Sequence, residues 1–434
     1  MTDATDRVVR AGRTLTDPSV GVFRRVRTGA TPADEPRLHT AAVDRAHPAA
    51  MTDGVFVPPS EGGAALTPRA ALTAAIGEGV ERYSAAIYRD RDLREDAYGA
   101  LDNAVDPADV VTFAPEQRAA GTVPPACYER GDELRWVAGE RATDGTTVQV
   151  PAQLVYLSYD TRDRPFVRAP ISTGLAAGLE RAGAVRRGLL EVVERDAFML
   201  YYLTESPLPS VRVPDRDGPV GTLCDRLDRA GIDWRLLDAR TDLGIPVVVA
   251  VLVDRHGLPE VSVAAAAAVD ASGAAQSALE EAIQTRRYQQ HLRARTEERP
   301  SLSALSPAEV GREERLLAWS ERGAAAELPA WTDTESTTTP AEIDAETGPL
   351  DASDVVPTVT DTWDVYTVDV TTRDVAAAGF TVVRVLAPAA QPLYLSGAHR
   401  YWGGDRLSTV PVDRGYSSAS PAPTDLNDCP HPFP

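Results

Sequence analysis

The 434-residue sequence predicts an α+β fold of mixed, largely antiparallel sheets packed with long helices. Three observations predict it. Three long runs carry the 3.6-residue apolar period and recognisable helix starts. Several short β-type runs are each bounded by Pro, Gly or Asp. Helices and strands are interspersed, with antiparallel-looking strands.

Taken in order, residues 1–17 are polar and read as a flexible N-terminus. Residues 18–60 mix short apolar pieces (Val20, Val22, Phe23) with Pro and Asp turns. Thr67 stands at an N-cap position and Pro68 at the first helical position, so a helix is predicted from there to about Tyr88. Residues 100–135 are Pro-rich and irregular, and LRWVAGE, TTVQVP and LVYLSYD follow as strands. PISTGLAAG reads as a tight glycine loop entering a second helix, RAGAVRRGLLEVVERDAFMLYYL. DWRLLD and PVVVAVLVD are apolar strands, and VSVAAAAAVD leads into a third helix, AAQSALEEAIQTRRYQQHL. Residues 296–357 are acidic and rich in Thr and Pro; they read as a surface excursion with one short helical piece near LLAWS. DVYTVDV and FTVVRVLAP precede a loop-rich tail, residues 421–434, ending in CPHPFP.

Composition narrows the function. Hydrophobic residues make up 43 % and charged residues 25 %, which excludes global disorder. No window approaches eighteen apolar residues and the N-terminus is no secretory signal, so neither a membrane span nor export is expected. Three cysteines without metal-ligand spacing (Cys127, Cys224, Cys429) fit a reducing cytoplasm. The six histidines form no H-x-x-x-H pair, and no G-x-S-x-G elbow occurs. Acids outnumber bases 64 to 44, for a formal charge of −20, and every base is Arg. A P-loop needs a lysine on the phosphates, so that route to nucleotide binding is closed, as is lysine Schiff-base chemistry. No basic stripe with interleaved aromatics marks a nucleic-acid partner. The acidic, Lys-free, Ala-rich composition looks like halophilic adaptation to high salt, with high-GC codon bias as the alternative.

One motif repeats. The first helix carries Glu78-Gly79-Val80-Glu81-Arg82 and the second Glu191-Val192-Val193-Glu194-Arg195, both E-x-x-E-R. Positions i, i+3 and i+4 share a helix face, so each helix presents two carboxylates and a guanidinium together. Around the first motif that face is otherwise alanine: Ala71, Ala74, Ala75 and Ala85. Like charges on one face repel unless a cation compensates them. The pattern fits an Mg²⁺ site between two helices, with arginines on phosphate oxygens. It fits solvated helix faces with i,i+4 Glu–Arg pairs equally well.

Several separated segments together resemble the YcaO family of ATP-dependent enzymes that modify peptide backbones. They are TPRAALTAAIGEGVERYSA, PISTGLAAG with GLLEVVERDAF, ALEEAIQTR, the stretch from VDVTTRDV to YWGGDRL, and the terminal NDCPHPFP. They follow the family's order over residues 18–434, the expected YcaO domain. The resemblance implies a YcaO-type fold and the cofactors ATP and Mg²⁺. It makes Glu78, Glu81, Glu191 and Glu194 the metal ligands and puts Arg82 and Arg195 on phosphates. Thr173, Gln284 and Arg286 join them at the nucleotide. Thr173 departs from a frequent Asn, and Ala74 from a frequent Ser whose contact adjacent Thr73 would supply. The P-x-P-x-P ending resembles that of azoline-forming cyclodehydratases, whose tail enters the active site and makes the Pro434 carboxylate a general base. Alternating prolines hold an extended segment at low ordering cost.

The activity so implied closes Cys, Ser or Thr side chains of a ribosomally made peptide to thiazolines or oxazolines, at the expense of ATP. The implied partners are the precursor peptide, a separate E1-like or related leader-binding protein and a second copy of the chain. Thioamide or amidine formation is the alternative within the family; a catalytically silent nucleotide- or peptide-binding subunit is the alternative outside it.

Overall fold

The computed structural model describes residues 2–48, 51–55, 60–124, 126–162, 164–422 and 425–434. Its N-terminal third contains α1 (Thr2–Thr14), β1 (Phe23–Ala30), β2 (His39–Arg45), β3 (Ser60–Ala65), α2 (Pro68–Ala85), β4 (Arg94–Ala97), α3 (Pro115–Ala119), β5 (Glu133–Arg141) and β6 (Thr147–Pro151). The middle contains β7 (Leu175–Gly178), α4 (Arg181–Leu203), β8 (Ser210–Val211), α5 (Gly218–Arg229), β9 (Asp233–Asp238), β10 (Val247–Val253), β11 (Val261–Ala267) and α6 (Ala271–Arg295). The remainder contains α7 (Arg312–Trp319), α8 (Pro329–Thr332), β12 (Thr337–Thr338), α9 (Pro340–Thr347), α10 (Val355–Thr360), β13 (Tyr366–Asp369), α11 (Arg373–Ala377), β14 (Thr381–Leu386) and α12 (Arg406–Asp413).

The strands form three sheets, ordered β1-β2-β3, β11-β10-β9-β8-β12 and β4-β5-β13-β14-β7, with β6 beside β5. Every pairing between these strands is antiparallel except β8 with β12. This is the α+β class predicted.

The three long helices begin where their signals lie. Thr67 accepts from the Ala70 amide as the N-cap of α2, and Asp270 accepts from Gly273 at the start of α6. In α4 the run Asp196–Leu203 is wholly buried, against the strands β10 and β11 and the C-terminal tail. A buried alanine stripe, Ala271, Ala274, Ala275, Ala278 and Ala282, lets α6 lie close on β10 and β11.

Four segments differ from expectation. The N-terminal residues form α1, an amphipathic helix whose Val8, Val9 and Ala11 pack on the core beneath α2. Residues 18–60, read as apolar pieces between turns, supply β1 and β2, which with β3 form a three-stranded sheet that carries α2. LVYLSYD is not a strand but a turn-rich segment after a short 3₁₀ piece at Ala152–Leu154; Tyr156 and Tyr159 there stack on Tyr88. The stretch 296–357 is less of a surface excursion than its polarity suggests. Leu316, Leu317, Trp319, Trp331, Ile343 and Val355 are buried, and α7 forms one wall of the tail's seat.

Candidate active site

Strand β7 is the hinge of the site. Helices α2 and α4 both pack on it, and each fastens a carboxylate to its backbone. Glu81 Oε1 accepts from the Ala177 amide at 2.8 Å, and Glu191 Oε2 accepts from the Gly174 amide at 3.1 Å. Close backbone approach makes this possible. Gly174 has φ +83°, and a Cβ on Gly188 of α4 would come within 2.7 Å of the Gly174 carbonyl. Expected as a loop, LAAG is a four-residue edge strand, held on one side by β14.

Around this hinge lie more acids than the backbone serves. Arg82 binds Glu78 at 3.0 Å and Glu61 of β3 at 3.3 Å. Glu61 also meets Arg45 at 3.2 Å. On α4, Arg195 bridges Glu191 at 3.4 Å and Glu194. Glu281 of α6 completes the group; its carboxylate feels Arg195, Glu191 and Glu78. Burial raises the proton affinity of most of these acids, and the nearby arginines oppose it. Glu81 is pushed up to about 8 by burial first, then by Glu191 and Glu78, against the Ala177 amide. Glu61 rises to about 7 by burial, against the pull of Arg82. Burial also raises Glu191, Glu194 and Glu281, and Arg195 opposes it in each case. A set of buried carboxyls short of positive charge holds protons or takes up a cation.

An all-oxygen donor set suits Mg²⁺, which is usually held by one or two carboxylates together with phosphate oxygens. Among the described residues no three His, Cys, Asp or Glu side chains gather tightly enough to cage an ion alone. A shared site, completed by a ligand's oxygens, is the arrangement these residues fit. The buried Thr73 hydroxyl on α2 has no hydrogen-bond partner.

The other expected residues divide. The Thr173 carbonyl accepts from Arg384, which also donates to Ile171 and Val155 carbonyls and fixes the loop before β7. Gln284 is half-buried, one turn beyond Glu281 on the same face of α6. Arg286 is not brought to the carboxylate cluster. Its guanidinium is occupied by Glu35 at 2.7 Å, Asp254 at 2.8 Å and the Pro259 carbonyl at 2.7 Å, on the other side of α6. The reason is helical phase: two residues past Gln284 is about 200° round the helix. Glu281 and Glu61 went unread. Glu281 had a signal, since Glu281-x-x-Gln284 repeats the spacing of the two E-x-x-E pairs. Glu61, in the small-residue strand SEGGAA, had none.

The chain end lies beside this cluster. Phe433 is fully buried, its ring 4.1 Å from the Arg195 guanidinium and edge-on to Phe198 at 4.5 Å. Its prolines offer no N–H, and the surrounding protein serves the tail's carbonyls. Tyr202 donates to Cys429 at 3.0 Å, Trp319 to Pro430 at 2.7 Å and Arg315 to Phe433 at 3.1 Å. His431 Nε2 lies 2.7 Å from the Tyr394 carbonyl. Pro434, half-buried, follows directly on Phe433.

Fold and site together fit a protein that shares a divalent cation with a ligand's oxygens, without a P-loop. The family model for YcaO, described as cyclodehydratase, ATP- and Mg²⁺-binding, matches residues 62–391. The chain therefore belongs to the YcaO family, ATP-dependent enzymes that bind Mg²⁺. A heterocyclase solved with substrate and cofactor superposes with a TM-score of 0.78 at 22 % identity, covering 99 % of this chain and 57 % of that one. YcaO from Methanopyrus kandleri, bound with AMPPCP and Mg²⁺, gives 0.61 at 22 % identity, covering 89 % and 91 %. An uncharacterised protein encoded in the tfuA 3′ region of Rhizobium leguminosarum bv. trifolii is 33 % identical over 200 residues, 44 % of either chain. The match spans just under half the length of the curated relatives. No described helix is long and apolar enough to cross a membrane.

Proposed function

We propose that this protein is an ATP-dependent cyclodehydratase that forms azolines in a ribosomally made peptide. The observation that carries this reading is the seating of Phe433 on Arg195, which brings the chain end beside the two E-x-x-E-R helices. In this reading Glu78, Glu81, Glu191, Glu194 and Glu281 share the Mg²⁺ ions with the triphosphate, and Arg82 and Arg195 meet its oxygens. The ions spread the charge of the transferring phosphoryl group. Thr173 and Gln284 border the nucleotide, and Thr73 offers it a free hydroxyl.

An amide oxygen is a poor leaving group, so loss of water needs activation. A substrate Cys, Ser or Thr side chain attacks the preceding carbonyl carbon, and the Pro434 carboxylate takes its proton. The oxyanion formed accepts the γ-phosphoryl group of ATP, releasing ADP. Phosphate departs as the ring nitrogen gives up its proton, leaving a C=N bond. The balance is peptide plus ATP to azoline, ADP and phosphate. A leader-binding partner protein delivers the peptide, and the enzyme acts as a homodimer.

Mass spectrometry of the product tests the reading. Loss of one water per ring, with ADP released in step, is expected; exchange of oxygen for sulfur would refute it. That second outcome is the thioamide reading, favoured by the relative encoded beside tfuA. ATP consumption without any change in peptide mass would also refute cyclisation.

A further inference from the structure

We infer that Phe433 is a positioning residue that couples the triphosphate site to the docked chain end. The inference rests on the nucleotide-binding role proposed for Arg195. It goes further, because it gives the tail a part in holding ATP that is separate from any base at Pro434.

Arg195 lies between two loads. Its guanidinium bridges Glu191 and Glu194 on its own helix, and its central carbon lies over the Phe433 ring, 4.1 Å from the centroid. An i,i+4 pair and a neighbouring carboxylate leave a long side chain several rotamers, whereas a ring lying under the guanidinium restricts them. Phe433 is in turn held from behind. Phe198 meets its ring edge-on at 4.5 Å, and Arg315 of α7 fixes its carbonyl at 3.1 Å. Phe198 lies three residues after Arg195 on α4, so one helix supplies both the cation in front of the ring and the aromatic wall behind it. Among the described residues the Arg315 guanidinium pairs with no acid and donates to the Phe433 and Leu395 carbonyls. Its hydrogen bonds therefore go to backbone carbonyls, one of them in the tail.

The consequence is reciprocal. If Phe433 holds Arg195 in the orientation that meets phosphate, triphosphate bound to Arg195 must tighten the tail by the same factor. Charge makes the link selective: Leu fills the Phe433 cavity but presents no π face to the cation, whereas Trp does.

The experiment titrates the full-length protein with Mg²⁺ and AMPPCP by calorimetry. It compares wild type, Phe433→Leu and Phe433→Trp, all of which keep Pro434. The expected result is affinity about three- to thirtyfold weaker in Phe433→Leu, the range of a desolvated cation–π contact. Phe433→Trp should recover most of it. Hydrogen exchange at the Phe433 amide should slow on adding nucleotide to wild type and not in Phe433→Leu. Unchanged affinity in Phe433→Leu, or equal weakening in Leu and Trp, overturns the inference. Wild type that binds no Mg²⁺–AMPPCP overturns it together with the nucleotide role of Arg195. A thioamide product would refute azoline formation and leave the coupling intact, so the two failures are told apart.

Discussion

Replacing Arg286 with Met separates the structural face of α6 from its functional one. The resemblance assigned Arg286 to the nucleotide; the structure spends it on Glu35, Asp254 and the Pro259 carbonyl. All three side chains are sheltered, at 5 % exposure for Arg286, 14 % for Glu35 and 9 % for Asp254. Removing one partner of such a group strands the other charges, at a cost of about 3–5 kcal/mol. The lower end applies, because Asp254 keeps the His256 amide and Glu35 keeps Gln290. Unfolding entropy of roughly 2.1 cal/mol/K per residue gives about 0.9 kcal/mol/K for a chain of this size. The thermal midpoint should therefore fall by about 3–4 °C, while Mg²⁺–AMPPCP affinity below the transition stays within twofold of wild type. Differential scanning calorimetry and titration calorimetry read the two quantities. An unchanged midpoint with a tenfold loss of nucleotide affinity would refute the reasoning and return Arg286 to the site.

Three further outcomes follow from the same geometry. Glu281→Gln relieves buried like-charge repulsion, so the metal-free protein should melt no lower than wild type while Mg²⁺–AMPPCP affinity drops at least about tenfold; a lower midpoint with full affinity contradicts this. Gly188→Ala forces a Cβ to 2.7 Å from the Gly174 carbonyl, so α4 must shift off β7 at about 1–3 kcal/mol, and peptide-dependent ATP turnover should fall; wild-type turnover would show that the Glu191 anchor is dispensable. His431 is buried with its Nδ1 unpartnered, and burial first, then the positive field of Arg315, hold its pKa well below the ordinary value of 6.5. The unfolded chain then binds the extra proton, so this contribution is complete above about pH 6.5 and is lost as pH falls. Between pH 6.5 and 5.5 the wild-type midpoint should fall by about 1–2 °C more than that of His431→Gln; parallel curves would exclude the effect.

Legibility followed local signals. Helix α4 spans the run read from the sequence, because periodicity and apolar content agree there even though Glu180 makes no side-chain cap. The sheet of β1, β2 and β3 was missed because FRRVRTGA and SEGGAA offer no alternation of large apolar residues; their order comes from packing on α2. The paired acids were visible as spacing, but their convergence on β7 was not. It depends on two amides, Gly174 and Ala177, and a glycine contact, which leave little mark in composition. The place of Arg286, away from the acids, was not legible because a motif conveys sequence distance, while helical phase decides which face a side chain takes. The seat of the tail was hidden for a related reason. Its pieces, Arg315, Trp319, Tyr202 and Tyr394, are scattered through a segment that looked like polar excursion and through two others.

The central claim is that acids on α2, α4 and α6 hold metal-bound triphosphate beside the docked chain end. Crystals grown with Mn²⁺ and AMPPCP test it through the anomalous signal of the metal. The account predicts Mn²⁺ peaks bonded to phosphate oxygens and to carboxylates among Glu78, Glu81, Glu191, Glu194 and Glu281, with Arg195 between phosphate and Phe433. Metal and nucleotide bound elsewhere, with those five carboxylates uncoordinated, would contradict it.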